Sequence, residues 1–516
     1  MTKRTWAAVA TAAVLLLGSA ACADDDGGDG AVTTTTEAAD SGGDSDATGG
    51  LTPPERADGP AATVAGPLTA GRGIHLLSAG GGPDLAAAGW VEEEFTVEGT
   101  AVDYETADGE APPTDGHWDL VPGDEADYRT RIVVRRPGDA ADFDGTVVVE
   151  WLNVSAGADS SPDYTYLVDE LVRGGYAWVG VSVQSIGVEG GDVAVMTPVS
   201  EFAGAGQGLK AIDAERYGDL THPGDAFSYD IFTQVARALR TPGDVDALGG
   251  LEVERLLGVG ESQSAFTLTS YIDGVQPLTG AFDGFLVHSR GGAAAPLRVE
   301  SGGIDIASSL GGEPTLIRTD GAAPIIVLET ENDVVGLLGY LPARQPDDDR
   351  LRLWEMAGTS HADLYQVGGI EDVLGCPTPV NAGPQHFVVK AALRHLTRWI
   401  TDGTPPPEAP RLEVDDATGT YVVDDDGIVA GGIRTPLVDV PVDRLSGEAS
   451  PEASVACLLF GSTTPLADDR LAELYPDADT YLAAFEASAD EVIAAGFVLD
   501  DDRDALLAEA QPDRIP

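Results

Sequence analysis

The sequence predicts an open α/β sheet, mostly parallel, entered through antiparallel strands and covered by helices on both faces. Three observations carry this. Near-continuous apolar runs recur at residues 147–152, 177–181, 255–259, 284–287 and 325–328, and runs without alternation suit parallel strands buried on both sides. Helix-compatible stretches such as 164–173 and 229–239 lie between them, the strand and helix succession of a parallel sheet. Ahead of these, 89–97 and 128–134 partly alternate apolar and polar residues, as antiparallel strands do.

Taken in order, the chain opens with Lys3 and Arg4, an apolar run over 6–17, and small residues up to Ala21 before Cys22. This is the tripartite pattern of an export signal, with an apolar run too short to span a bilayer comfortably. Cys22 stands where bacterial lipoproteins carry their lipid-attachment cysteine, which it resembles, although Ser19 occupies the position where Leu is usual. Residues 1–21 are therefore expected to be a lipoprotein-type signal peptide, and the mature protein extracytoplasmic, anchored to the cell membrane by a lipid or secreted. Residues 22–66 are dominated by Asp, Gly, Thr, Ala and Ser without apolar periodicity. Such a segment buries too little surface to offset its ordering entropy and reads as a disordered acidic tether.

Residues 67–516 are expected to form one folded domain that includes a C-terminal extension over about 411–516. After the strand at 325–328 come a strand over 352–356, a helix over 386–400 and a break at Thr404-Pro405-Pro406-Pro407. A polar, strand-like region then reaches about 445, and a helical tail covers 466–509. Two long connections, 184–228 and 289–323, are expected to wall a substrate cleft, because loops of that length in a compact domain are usually functional. Cys376 and Cys457 form one possible disulfide in an oxidising compartment, or else two separately buried thiols.

Composition narrows the partners. The 516 residues carry 87 Asp and Glu against 29 Lys and Arg, a formal charge of -58. A polyanion would be repelled, which excludes nucleic acid, and an anionic bilayer is excluded as a docking surface, leaving a lipid anchor as the only expected membrane contact. The triplets at 347–349, 424–426 and 500–502 are all Asp. Three adjacent carboxylates do not converge on one cation without special turns, so they read as solvated surface, and no metal or cofactor is expected.

The chemistry is carried by the run Gly260-Glu261-Ser262-Gln263-Ser264, which follows the strand at 255–259 and precedes a helix-compatible segment. A serine with small residues two positions to either side, at a strand-to-helix turn, has the form of a nucleophile elbow. Ser262 is preferred over Ser264 because the latter has the bulky Phe266 two residues on. A nucleophilic serine needs a histidine base and an acid that orients it. The strand at 325–328 ends in Glu331 and Asp333, and the strand at 352–356 leads into His361, giving the chain order serine, acid, histidine. Asp333 is the expected acid, with Glu331 as the alternative. His288, His386 and His395 read as structural. An oxyanion hole is expected from the backbone N–H of Gln263 and from that of Asn153, or a residue to either side of it, in the loop after the strand at 147–152.

These residues, with Arg216-Tyr217-Gly218, His222-Pro223-Gly224-Asp225, Tyr229-Asp230-Ile231-Phe232, Trp354-Glu355-Met356-Ala357-Gly358-Thr359-Ser360-His361 and Gly431-Gly432-Ile433-Arg434-Thr435-Pro436, resemble the alpha/beta hydrolase domain family. This is a group of largely uncharacterised bacterial proteins within the α/β-hydrolase superfamily. The resemblance runs from about residue 88 to the C-terminus. It implies an α/β-hydrolase fold and a Ser-His-Asp hydrolase of carboxylic esters, with Ser262 as nucleophile, His361 as base and Asp333 as acid. A small, neutral ester is the expected substrate, since the acidic surface disfavours anions. Acyl transfer or a lyase reaction on the same scaffold, or a non-catalytic tethered binding protein, are the alternatives, because fold does not fix function.

Overall fold

The computed structural model describes residues 50–198, 200, 204–298, 303 and 309–516. The expected signal peptide, Cys22 and the tether as far as residue 49 lie outside the described residues. Strands β1 (Thr63–Ala65), β2 (Trp90–Thr106), β3 (Leu120–Pro137), β4 (Thr146–Trp151), β5 (Ala177–Val181), β6 (Arg255–Glu261), β7 (Gly284–His288), β8 (Ile325–Thr330) and β9 (Leu351–Met356) form one sheet in the order β1-β2-β3-β5-β4-β6-β7-β8-β9. Pairings among β1, β2, β3 and β5 are antiparallel, and those from β5 through β4 to β9 are parallel.

Successive strand residues point to opposite faces, and two cores result. Val147, Val149, Val179, Leu256 and Val287 pack under helices α2 (Ser228–Arg240) and α3 (Gln263–Ser270). Val148, Trp178, Leu257, Leu286 and Leu328 pack under α1 (Pro162–Gly174) and α4 (Gln385–Asp402). Helix α4 runs antiparallel to β7: Gln385 contacts His288 at the carboxyl end of the strand, and Ile400 lies against Gly284 at its amino end.

The tether expectation needs correcting over 50–66. The Leu51 N–H donates to the Ile400 carbonyl, the Ala57 N–H to Thr279 O, and Arg56 pairs with Asp283 at 2.6 Å. Residues Thr63–Ala65 add the antiparallel edge strand β1 to β2. Backbone pairing needs no apolar side-chain pattern, which is why composition alone placed this stretch in the tether.

Arg131 lies wholly buried on β3, paired with Glu94 at 2.5 Å and Asp159 at 3.0 Å, while Arg216 holds the other oxygen of Glu94 and the Leu68 and Ala70 carbonyls. This explains Arg216 in the sequence motif: it stitches the connection after β5 to β2. The C-terminal extension closes the other edge. The Ile433 N–H donates to Glu355 O at 2.7 Å and the Ala357 N–H to Ile433 O at 3.0 Å, a parallel bridge beside β9. Gly432, at φ +68°, makes this approach feasible, since a Cβ there would sit 3.0 Å from Glu355 O. The extension continues as the hairpin of β10 (Asp443–Ser446) and β11 (Ser462–Pro465) around the short helix α5 (Val455–Leu459). The expected helical tail is three segments, Asp468–Leu474, α6 (Ala478–Ala494) and Arg503–Ala508, interrupted at Pro476 and at Gly496, whose φ is +85°. Among the described residues no helix is long and apolar enough to cross a membrane.

Candidate active site

The site is assembled where β4, β6, β8 and β9 end. Strand β6 stops at Glu261, and α3 starts at Gln263, leaving Ser262 alone in the turn with φ +61° and ψ -123°. Few non-glycine residues adopt such a conformation, and its cost of about 1–3 kcal/mol is tolerated where function fixes it. The small flanking residues have a direct cause: a Cβ at Gly260 would lie 3.1 Å from the Ser264 Cβ. Ser264 itself is buried in α3 and its hydroxyl has no partner.

The Ser262 Oγ lies 2.8 Å from His361 Nε2, and His361 Nδ1 lies 2.7 Å from Asp333 Oδ1. The structure thus brings together the three residues named from sequence. Asp333 Oδ2 accepts from the Thr330 N–H (2.8 Å), the Thr330 hydroxyl (2.6 Å) and the Ser289 hydroxyl (2.7 Å). Burial alone would raise this carboxyl, but the facing His361 and these hydrogen bonds hold it below the usual Asp range. Ser289 was missed in the sequence. It follows β7 directly, and the parallel register of His288 with Leu328 carries it alongside the acid-bearing end of β8. Its φ of +54° places the hydroxyl on Asp333.

Glu331, the alternative acid, does something else. Its two oxygens accept the backbone N–H groups of Gly358 (2.6 Å) and Gly447 (2.8 Å), tying the His361 loop and the C-terminal extension to β8. Burial pushes its carboxyl up to about 7 against those two donors. An acid raised in this way favours the fold at low pH: below about 4 both states are protonated, and the contribution is lost as pH rises through about 7. We expect the stability difference between the wild type and Glu331→Gln to shrink by about 3 kcal/mol from pH 4 to pH 8. Chemical denaturation at the two pH values checks this; a difference independent of pH would contradict it.

The oxyanion-hole expectation is corrected in part. The Asn153 N–H is already used, donating to Ser160 O at 2.9 Å, so it offers nothing to a substrate. The neighbouring Val154 N–H makes a longer hydrogen bond, 3.4 Å to Gln263 Oε1, and is the less firmly engaged of the two donors. Asn153 instead shapes the loop, through its Nδ2 on Glu261 O (3.0 Å) and its Oδ1 on the Ser155 N–H (2.8 Å). Gln263 opens α3, so its N–H has no intrahelical acceptor.

Ser262 and His361 open into a cleft of about 390 Å³. One wall is the 193–200 stretch, which supplies Val195, Thr197 and Ser200, as expected of the first long connection. The second, 289–323, lines none of it among its described residues. Its place is taken by the segment after His361, with Val367, Ile370 and Leu374, and by Leu459 and Phe460 from the C-terminal extension. No Lys or Arg lines the cleft among the described residues. Glu261, which does, has its carboxyl raised well above the usual range by burial and by neighbouring carboxylates, and it accepts from Gln366 Nε2 at 3.3 Å.

The three histidines expected to be structural are packed elsewhere. His288 is buried against Asp163 (2.9 Å) and Gln385, His386 stacks on Tyr365 at 3.9 Å, and His395 contacts Gly496 O. Cys376 and Cys457 are joined as a disulfide. Among the described residues no three His, Cys, Asp or Glu side chains group as a metal would need. The Asp triplets serve as turn caps and ion-pair partners: Asp348 accepts the Arg350 and Leu351 N–H groups, Asp426 pairs with Arg470, and Asp502 with Arg173 and Lys390.

With this geometry, a family model described as an alpha/beta hydrolase domain matches residues 64–508. The chain belongs to that family. Like the fold expected from its sequence, the chain has a mostly parallel sheet with antiparallel N-terminal strands and helices on both faces. Among solved structures, a serine hydrolase without lid from Xanthomonas campestris is 14% identical, with 54% of this hydrolase-family chain and 92% of that one covered and a TM-score of 0.29. An esterase from Rhizomucor miehei is 12% identical, covering 58% and 83%, with a TM-score of 0.29. A glucuronoyl esterase from Solibacter usitatus is 10% identical, covering 60% and 84%, with a TM-score of 0.27. No curated protein matches the chain.

Proposed function

We propose that the protein is a serine hydrolase of neutral carboxylic esters. The observation that carries this is the continuous relay from Asp333 through His361 to Ser262, opening into an apolar cleft without a cationic side chain among the described residues. Asp333 holds the His361 proton on Nδ1 and leaves Nε2 free to accept the Ser262 proton. The Ser262 Oγ then attacks the ester carbonyl carbon, and its proton passes to Nε2. The oxyanion so formed is met by the N–H groups of Gln263 and Val154. Collapse breaks the bond to the alkoxy oxygen, which leaves as the alcohol with the proton from Nε2. Water attacks the remaining acyl-enzyme, again giving its proton to Nε2, and the acid departs as Ser262 is restored.

Export with lipid attachment at Cys22 belongs to the same proposal, supported by a disulfide that suits an oxidising compartment. A fluorophosphonate probe is expected to add to the native protein at Ser262 and not at Ser264, read by peptide mass. A folded protein left unlabelled would sink the hydrolase reading. The mass of the mature N-terminal peptide from membranes tests the lipid on Cys22.

A further inference from the structure

We infer that the Cys376–Cys457 disulfide is a specificity device: it holds closed the wall that receives the alcohol arm of the ester, and this arm is a long apolar chain. The inference rests on the ester-hydrolase reading above. The bond joins two segments distant in sequence. One follows His361 and gives the cleft Val367, Ile370 and Leu374; the other is α5 and the residues after it, which give Leu459 and Phe460. Leu374 and Phe460 pack in one small cluster with Ala362, Val380 and Ala456, against which Cys376 itself lies. This cluster is separate from the two large cores and has little apolar surface of its own, so the covalent link supplies a constraint that packing does not.

Chemistry decides which arm meets this wall. The leaving oxygen must take its proton from His361 Nε2, so the alcohol lies on the His361 side, where Ala362, Val367, Ile370 and Leu374 follow in the chain. The acyl arm takes the rest of the cleft, where Ala156 follows the oxyanion-donor loop; Val195 joins the two sides, packed against the stapled cluster and donating its N–H to Ser155 O at 2.9 Å. The rim argues for length. Ile370, Val373 and Val455 are among the exposed large hydrophobics, at 42%, 50% and 59% exposure, and all three belong to the two stapled segments. Isolated exposed apolar residues are ordinary, but Ile370 lines the cleft itself, and exposed apolar residues that continue along the segments walling a cleft mark a binding surface. A chain that fills the cleft would continue over this rim.

His361 does not depend on the link for its own position. The Ser360 hydroxyl donates to Ala362 O at 2.7 Å, Gln385 Nε2 donates to Ser360 O at 3.0 Å, and Asp333 holds His361 Nδ1 at 2.7 Å, none of them through a stapled cysteine's helix. Losing the disulfide is therefore expected to change selection by chain length and to spare the chemical step.

The experiment compares the native protein, the Cys376→Ser/Cys457→Ser variant, and Leu374→Ala and Phe460→Ala with the disulfide intact. Two series are followed by pH-stat: acetates of methyl to octyl alcohol, and methyl esters of acetic to octanoic acid. In the native protein kcat/KM is expected to rise along the alcohol series by up to about fourfold per methylene. Without the disulfide this slope flattens, while the acyl series and the rate of fluorophosphonate labelling stay within about twofold of the native values; in each cleft variant the alcohol slope flattens more mildly, and by more than the acyl slope. Equal alcohol slopes in all four proteins, or an equal flattening of both series, overturns the inference and leaves the hydrolase reading standing. Absence of hydrolysis and of labelling in the native protein overturns that reading instead. If the double serine variant does not fold, the native protein with the disulfide reduced and its thiols alkylated takes its place, and an alcohol slope unchanged by that treatment overturns the inference.

Discussion

Ser262→Ala is expected to lower ester turnover by about six orders of magnitude, to the level left by binding and the oxyanion donors alone. The side chain makes a single hydrogen bond, to His361 Nε2, so removing it takes away the attacking atom and little else. The backbone conformation at 262 suits alanine no worse than serine, both carrying a Cβ at positive φ. The melting temperature of the variant is therefore expected within a few degrees of the wild type. Steady-state kinetics on a short-chain ester, beside a thermal melt, checks both halves. Turnover within tenfold of the wild type would place the nucleophile elsewhere.

Asp333→Asn is expected to cost about 10⁴ in kcat. Asparagine keeps the shape, but its amide can turn an N–H toward His361 Nδ1, which then carries its proton on Nε2 and cannot accept one from Ser262. The three hydrogen bonds on Oδ2 from Thr330 and Ser289 give the side chain a strongly preferred rotamer, so the fault is one of tautomer and not of position. Glu331→Gln is expected to leave kcat within a few-fold, since Glu331 meets Gly358 and Gly447 and not the imidazole. Measuring both variants on one substrate separates the two carboxylates; the reverse ranking would make Glu331 the acid.

The parallel part of the sheet was legible because its strands are apolar on both faces, and each of its strands, from 147 to 356, was read to within a few residues, whereas the hairpin of β10 and β11 was not read as strands. Ser262 and His361 were legible because the elbow and the chain order constrain residue types at fixed points of the topology. Asp333 was favoured over Glu331 only by its place in the turn; the capping contact with Thr330 is what aims it. The Asn153 assignment failed for a different reason: the partner of its N–H, Ser160 O, belongs to a turn whose closure no local pattern announces. The cleft walls failed similarly. Long loops are visible in sequence, but the contribution of Leu459 and Phe460 depends on how an extension of about a hundred residues folds back, with the disulfide and the Ile433 bridge at β9 fixing that return.

The seating of Leu51 on Ile400 has a consequence for orientation. Ile400 belongs to the end of α4 beside Gly284, where the parallel strands begin, whereas Ser262, Asp333 and His361 all follow strand carboxyl ends. Residues 50 and 51 are therefore made fast at the end of the sheet opposite the catalytic residues, so that a cut or a fusion made there leaves the mouth of the cleft untouched.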